Sequence, residues 1–569
     1  MYEGIAASRG IGIGAVCRIE EHDLTFDMHQ VEDVAAEKQR LHDAVKRFKE
    51  ETTEMAEDVR KRIGPKEAAI LEGHLEMISD PAMVGEMDKM IDSRQCAEAA
   101  ATAVCDMFIN MFSSMSDELM NQRAADVRDI KTSILKLLLG IEDIDISKVA
   151  PGTVLVARDL TPSMTSQIVK ENVAGIITEI GGKTSHSAIL ARALEIPAVL
   201  SVPGILDQVH DKDTAIIDGT EGQVFINPEG DVLSTYIRKR EDYIRKQGEL
   251  RKFYGKDTVT ADGKKLELFC NIGTPKDAKK AMECDGEGIG LFRSEFLFMN
   301  SSHLPSEDEQ FEAYKEAVET MQGRAVIIRT LDIGGDKDIP YLHLKKEDNP
   351  FLGFRAVRYC LKNADAYKVQ LRAIMRASAF GKVKIMLPLV TVVDEIRAAK
   401  ALVADIAKDL EAEDIDFDRN IEVGCMIETA SASLIADKLA KESAFFSIGT
   451  NDLTQYTMSV DRGNPHVAYL YSAFQPSVLR SIRNIIKAAN EAGIPVGMCG
   501  EAAADPLMIP LLIAFGLDEY SVNPVLVLTA RCIISKWSVE EAKALADKVM
   551  ELDTEKEIVD LLKASAKEL

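Results

Sequence analysis

The sequence predicts a multidomain α/β chain: an α/β domain interrupted by a helical bundle, then a linker helix, then a C-terminal (β/α)8 TIM-type barrel. Three observations predict it. A stretch of roughly 110 residues after the first short strands is helical almost throughout. Strand texture returns near Pro151, and after Thr258 strand and helix patterns alternate eight times. At 569 residues the chain has room for two to four domains, each with its own core.

Residues 1–20 are glycine-rich with alternating apolar positions (Ile11, Ile13, Ala15, Cys17) and predict one or two short strands. Val31 to Ile63 is a long charged amphipathic helix. A second runs from Lys66 to Ser79, broken at Asp80-Pro81, and further helices fit Met83–Ile91, Ala97–Met115 and Ser116–Leu139. Short strands follow at Thr153–Ala157, Gly175–Thr178, Ala198–Leu200, Thr214–Ile217 and Gln223–Ile226. The N-terminal strands are expected to join their sheet, which makes the bundle an excursion from one domain. Asp231 to Tyr254 is a basic helical stretch that either links mobile domains or forms a solvated surface helix. Eight strands are then expected at Leu266–Cys270, Gly288–Leu291, Val326–Arg329, Lys384–Leu387, Glu422–Ile427, Phe445–Ile448, Val496–Cys499 and Glu519–Val522. The domains fall at 1–30 with 140–230, 31–139, 231–257 and 258–569.

The net charge of −25 argues against nucleic acid or anionic membrane as a partner and suits a basic protein or a solvated acidic surface. No run is apolar enough to span a bilayer, and the N-terminus carries no signal peptide pattern. Nine scattered cysteines without a C-x-x-C pair fit a reducing cytoplasm.

The most informative run is Gly181-Gly-Lys-Thr-Ser-His-Ser-Ala-Ile-Leu-Ala-Arg192. His186 follows a strand and a glycine turn and opens a helical run from Ser187 to Leu194, which Thr184 or Ser185 can cap. A helix start favours anions and disfavours imidazolium, so a ring there stays neutral and nucleophilic. By itself such a histidine is as consistent with capping or packing. In a barrel, chemistry sits at the C-terminal strand ends. Arg293, Glu295, Arg329, Asp332, Lys337, Glu428, Asn451, Asp452, Arg462 and Cys499 fall there, with Arg355 on the loop before the fourth strand. Converging guanidinium forks match phosphate and carboxylate, and paired carboxylates suit Mg²⁺.

The His186 run resembles the phosphohistidine signature of enzymes that exchange phosphate with phosphoenolpyruvate. Its Thr-Ser-His form resembles enzyme I of the phosphoenolpyruvate-dependent sugar phosphotransferase system, and the resemblance extends from Gly4-Ile-Ala-Ala-Ser8 to the last helices. It implies a swivelling phosphohistidine domain and a barrel that binds phosphoenolpyruvate. His186 is then the phosphoryl carrier and Cys499 the proton donor to the enolate. Arg293, Arg329, Arg355, Asn451, Asp452 and Arg462 bind substrate, Glu428 and Asp452 hold Mg²⁺, and Thr165 and Lys337 support the site. It further implies transfer to a histidine of the phosphocarrier protein HPr, docked on the bundle through Ala68, Ile70, His74 and Arg123, and a homodimer through the barrel. Three positions depart from the family pattern: Met164 where an acid is common, Ala430 where proline is usual, and Ala503-Ala504 where glycine is usual. Two other readings remain. An ATP-dependent dikinase needs a nucleotide-binding domain and usually has cysteine where Ser185 stands. A phosphorylation-dependent regulator without turnover would not need Cys499, Glu428 and Asp452 together.

Overall fold

A computed structural model describes residues 1–19, 24–62, 65–114, 118–141, 146–161, 164–165, 167–182, 185–299, 301–334, 339–342, 344–345 and 347–567. The chain divides into two compact units, Met1–Arg245 and Lys246–Leu569. The division falls inside the Gly230–Arg251 helix, the predicted linker.

In the first unit, β1 (Tyr2–Glu3), β2 (Ile5–Ser8) and β3 (Ile11–Arg18) enter one sheet with β4 (Thr153–Ala157), β5 (Val173–Thr178), β6 (Ala198–Leu200), β7 (Thr214–Asp218) and β8 (Gln223–Ile226). The order is β1-β8-β7-β3-β4-β5-β6-β2. The β3–β4 pairing is parallel, with Ala15 opposite Thr153, so the two halves of the sheet close across the whole helical excursion. Strand β4 is buried along its full length, as expected of a central strand covered on both faces. Its alternate residues feed two cores: Leu155 and Ala157 pack with Ile176 and Ala191, and Val154 and Val156 with Ile177 and Ile217.

Among its described residues the excursion holds five helices: α1 (Val34–Arg62), α2 (Pro65–Ser79), α3 (Pro81–Asp92), α4 (Ala97–Ser113) and α5 (Glu118–Leu139). The Asp80-Pro81 break both ends α2 and starts α3. The Asp80 carboxylate accepts the Ala82 N–H, and Pro81 occupies the first turn, where its missing N–H costs nothing. Leu41, Phe48, Met87, Ile91, Val104, Ile130 and Ile134 form a core separate from those of the sheet.

The second unit is a closed parallel barrel of β9 (Glu267–Ile272), β10 (Ile289–Arg293), β11 (Val326–Arg329), β12 (Val383–Leu387), β13 (Glu422–Ile427), β14 (Phe446–Ile448), β15 (Val496–Met498) and β16 (Glu519–Val522). All eight expected strands are present within about two residues of their predicted ends. Outward residues such as Ile328, Ile385 and Ile427 pack under the helices. A smaller apolar set, Leu291, Ile327, Met386, Met426, Phe445 and Cys499, clusters separately. The sharing of residues between two cores by alternation follows from the period of two along a strand.

Candidate active site

His186 is the first residue of a helix that ends at Ala193. The N-cap is Ser185, whose hydroxyl accepts the Ala188 N–H at 3.3 Å. Ser187 fixes the same turn, donating to Asp159 Oδ1 at 3.0 Å or to the Leu160 carbonyl at 3.2 Å. The backbone thus places His186 at the positive end of a capped helix, as the sequence predicts. Its side chain, Lys183 and Thr184 lie outside the described residues. Thr165 is buried, with its N–H on the Thr161 carbonyl. Met164, the first departure, packs against the apolar core of this domain.

In the barrel, Glu295, Arg329, Asp332, Arg355, Asp452 and Arg462 join in one charge network. Arg329 closes β11 and pairs with Glu295 at 2.5 Å and with Asp332 at 3.1 Å. Arg355 reaches the same Asp332 at 2.8 Å and Asp452 at 3.3 Å, and donates to the Tyr456 hydroxyl at 3.3 Å. Arg462 pairs with the other oxygen of Asp452 at 3.2 Å. Arg293 ends β10 half-buried and makes no ion pair among the described residues, which leaves its guanidinium available. Asn451 accepts the Glu501 N–H and is held by Tyr471, which donates to its carbonyl. Glu428, just past β13, is buried and accepts the Leu389 N–H at 2.6 Å.

Fixed forks of this kind suit a planar or tetrahedral dianion, and Asp332 aims two of them by holding one nitrogen each. Burial and repulsion from Asp452 and Asp332 push the Glu428 carboxyl up to about 8, against the pull of Arg329 and Arg355. A buried carboxyl raised by a neighbouring carboxylate is a place where a bound cation would be stabilising. Its all-oxygen chemistry fits Mg²⁺, which keeps waters and takes substrate oxygens rather than filling its shell from protein. Cys499 is 3% exposed; burial pushes its thiol up to about 11, so it stays protonated at neutral pH. A protonated thiol is what donation to a carbon requires.

Two departures are absorbed locally. Ala430 takes the first position of a short helix capped by Thr429, which accepts the Ala432 N–H at 3.0 Å, so the cap replaces the expected proline. Ala503 is fully buried in the barrel core.

The bundle corrects one expectation. Ala68 and His74 are buried, at 0% and 2% exposure, and cannot contribute contact surface to a partner. His74 lies between Asp126 (3.5 Å) and Asp129 (3.9 Å), although its buried Nε2 makes no hydrogen bond among the described residues. Ile70 is half-buried, and the Arg123 side chain, 40% exposed, sits beside Asp126. Lys337 lies outside the described residues. Sequence reading missed Tyr456, although it falls one helical turn after Asp452. It also missed the role of Phe351, whose ring lies 5.8 Å from the guanidinium of Arg355 and 5.9 Å from that of Arg462. Tyr456 donates to the Phe351 carbonyl and so ties that loop to the mouth.

A barrel mouth built for a phosphorylated carboxylate, in a chain whose other unit starts a capped helix with histidine, is the build of a phosphoenolpyruvate-utilising enzyme. Residues 3–123 match the N-terminal domain of the PEP-utilising enzymes, residues 149–222 their mobile domain and residues 247–539 their PEP-binding domain. The chain is similar to phosphoenolpyruvate-protein phosphotransferase of Geobacillus stearothermophilus, 46% identical over 98% of this chain and 97% of the relative. The same enzyme of Bacillus subtilis (strain 168) is 44% identical over 99% of each chain. The solution structure titled Enzyme I (nEIt) is 36% identical, covers 43% of this chain and 99% of its own, and superposes with a TM-score of 0.40. The chain belongs to the phosphoenolpyruvate-protein phosphotransferase family.

Proposed function

We propose that this enzyme transfers the phosphoryl group of phosphoenolpyruvate to His186, releases pyruvate, and passes the phosphoryl group to a histidine of HPr, the first step of the sugar phosphotransferase system. The observation that carries it is the single network in which Asp332 and Asp452 aim Arg329, Arg355 and Arg462 at one mouth, above a protonated Cys499. Arg293, Arg329 and Arg355 would clamp phosphate, and Asn451 and Arg462 would orient phosphate and carboxylate. Glu428 and Asp452 would hold Mg²⁺, which when bound neutralises charge on the phosphoryl oxygens. With the substrate seated, a neutral His186 attacks phosphorus in line. The N–P bond forms as the enol P–O bond breaks, and enolpyruvate leaves. The Cys499 thiol gives its proton to the enol methylene carbon, producing pyruvate. The arginines take up charge that shifts towards the leaving oxygen in the transition state.

His186 and the barrel mouth belong to different units, so the transfer requires the His186 domain to visit the mouth and then its acceptor. The Gly230–Arg251 helix joining the units supports that reading. The bundle is the proposed HPr surface, through Ile70 and Arg123, with His74 and Ala68 shaping it from within. A homodimer through the barrel and a cytoplasmic setting are part of the same proposal. No helix among the described residues is long and apolar enough to cross a membrane.

The test is label transfer. Protein incubated with ³²P-phosphoenolpyruvate and Mg²⁺, without ATP, should pass label to added HPr, and His186→Ala should pass none. Label reaching HPr only when ATP is supplied would support a dikinase instead.

A further inference from the structure

Cys499 can act only once per proton, and the barrel beneath it is polar in a way the phosphoryl chemistry does not use. Ser447 on β14, Gly497 on β15 and Glu519 on β16 lie in register across three neighbouring strands. Gly497 stands two residues before Cys499 and so shares its face. Glu519 is buried, and its carboxyl fills the space that side chains at two glycines would take. A Cβ at Gly497 would come within 2.4 Å of its Oε2, and one at Gly290 within 2.3 Å of its Oε1. The carboxyl therefore spans the barrel interior from β10 to β15, one residue layer below Cys499.

Two polar atoms at this level lack a hydrogen bond of ordinary geometry. Glu519 Oε1 and the Ser447 hydroxyl are buried and make no hydrogen bond among the described residues. Such a cost is rare in a core without function. The Ser447 hydroxyl also faces the Cys499 thiol closely enough to favour its thiolate. Above Glu519 on the same face, Ser521 donates to Asn271 Oδ1 at 2.7 Å, and Asn271 donates to the Cys499 carbonyl at 3.0 Å, which fixes the cysteine backbone. Below, Glu267 pairs in register with Glu519 and is exposed, and Lys384 is part-exposed beside it, bonded to Glu422 at 2.7 Å.

We propose that Glu519, acting through the Ser447 hydroxyl, returns a proton to the Cys499 thiolate after each enolpyruvate is protonated, and is itself recharged from the Glu267 end of the barrel. The inference rests on the reading of Cys499 as the proton donor. The steps balance without a co-reactant. The thiol proton goes to carbon. The thiolate then takes the Ser447 proton while Ser447 takes that of Glu519, whose Oε1 no hydrogen bond holds and which turns to it for the transfer. The Glu519 carboxylate recovers a proton from water through Glu267. The direction is downhill, because burial and the charges of Glu267 and Asp518 push Glu519 up to about 8, below the thiol at about 11. Lys384 opposes those charges and stabilises the transient carboxylate.

Rapid mixing of the full chain with phosphoenolpyruvate, Mg²⁺ and excess HPr separates the first pyruvate from later ones. In Glu519→Gln the first turnover should form one pyruvate per chain at the wild-type rate, because its thiol starts protonated. Later turnovers should slow at least tenfold. Ser447→Ala should behave alike, and tests the idea from another strand if the Gln variant fails to fold. The wild-type steady state should fall above about pH 8 while its first turnover does not, and the Gln variant should lack that limb. Unchanged later turnovers would show that water reloads Cys499 from the mouth and would overturn the proposal. A first turnover that falls with the later ones would overturn it in favour of a structural role. Cys499→Ala distinguishes the underlying reading: if it forms its first pyruvate at the wild-type rate, Cys499 is not the donor at all.

Discussion

Asp332 is the point on which the barrel mouth turns. Asp332→Asn keeps its shape and removes its charge. The wild-type carboxylate accepts from Arg355 at 2.8 Å and from Arg329 at 3.1 Å, and all three side chains are less than 10% exposed. A hydrogen bond to a charged group contributes about 1.5–3 kcal/mol, and breaking a buried ion pair costs about 3–5 kcal/mol. Each arginine keeps a second carboxylate, Glu295 for Arg329 and Asp452 for Arg355, so neither is stranded. Glu428 also gains, since Asp332 is one of the charges that raises it. The lower figure is therefore expected, a loss of about 3 kcal/mol from the barrel. The chain supplies its own probe: the single tryptophan, Trp537, is 5% exposed in the barrel, so its fluorescence follows that unit through a guanidinium titration. Both arginines should lose their aim, and kcat should fall with stability. A loss below about 1 kcal/mol, comparable to a surface pair, would refute the view that Asp332 pre-organises the mouth.

The pH dependence of stability tests Glu519 apart from turnover. Its folded carboxyl sits at about 8 against roughly 4.3 in an unfolded chain, so its contribution is fully present below about pH 4.3 and is lost as pH rises through 8. Trp537 fluorescence should show Glu519→Gln gaining on wild type between pH 5 and 8, by on the order of 3 kcal/mol at pH 7; parallel curves would count against it. Cys499→Ala should keep phosphorylating His186 while coupled detection of pyruvate slows by about 10²–10⁴-fold, with enolpyruvate seen transiently by ultraviolet absorbance. Phe351→Ala removes two cation–π contacts of roughly 0.5–1 kcal/mol each and should raise KM for phosphoenolpyruvate several-fold, with little change in Trp537 unfolding. Chelation of divalent cations should stop label transfer, and added Mg²⁺ should restore it.

The barrel was legible because each buried strand announces itself as a short apolar run between turn signals, and Glu422–Ile427 and Glu519–Val522 were read to the residue. The candidate site residues at the ends of such runs, Glu428 and Cys499, were proposed from the rule that chemistry sits at the C-terminal strand ends. What sequence could not supply is pairing across strands. Nothing in Leu-Asp-Ile says that Asp332 joins two arginines 23 residues or less away, and nothing in Phe-Ser-Ile says that Ser447 points inward beneath Cys499. His74 misled for a related reason. Its helix is amphipathic, but Asp126 and Asp129 on α5 set opposite charge beside the ring on the buried face, and that pairing spans more than 50 residues.

The central claim is that phosphoenolpyruvate alone phosphorylates His186, using the barrel mouth of this chain. Mass spectrometry of the protein after mixing with phosphoenolpyruvate and Mg²⁺, without ATP or HPr, tests it most directly when pyruvate is counted in the same sample. One acid-labile phosphate on His186 for each pyruvate formed is the predicted result. Pyruvate without phosphohistidine, or phosphate on another residue, would contradict it.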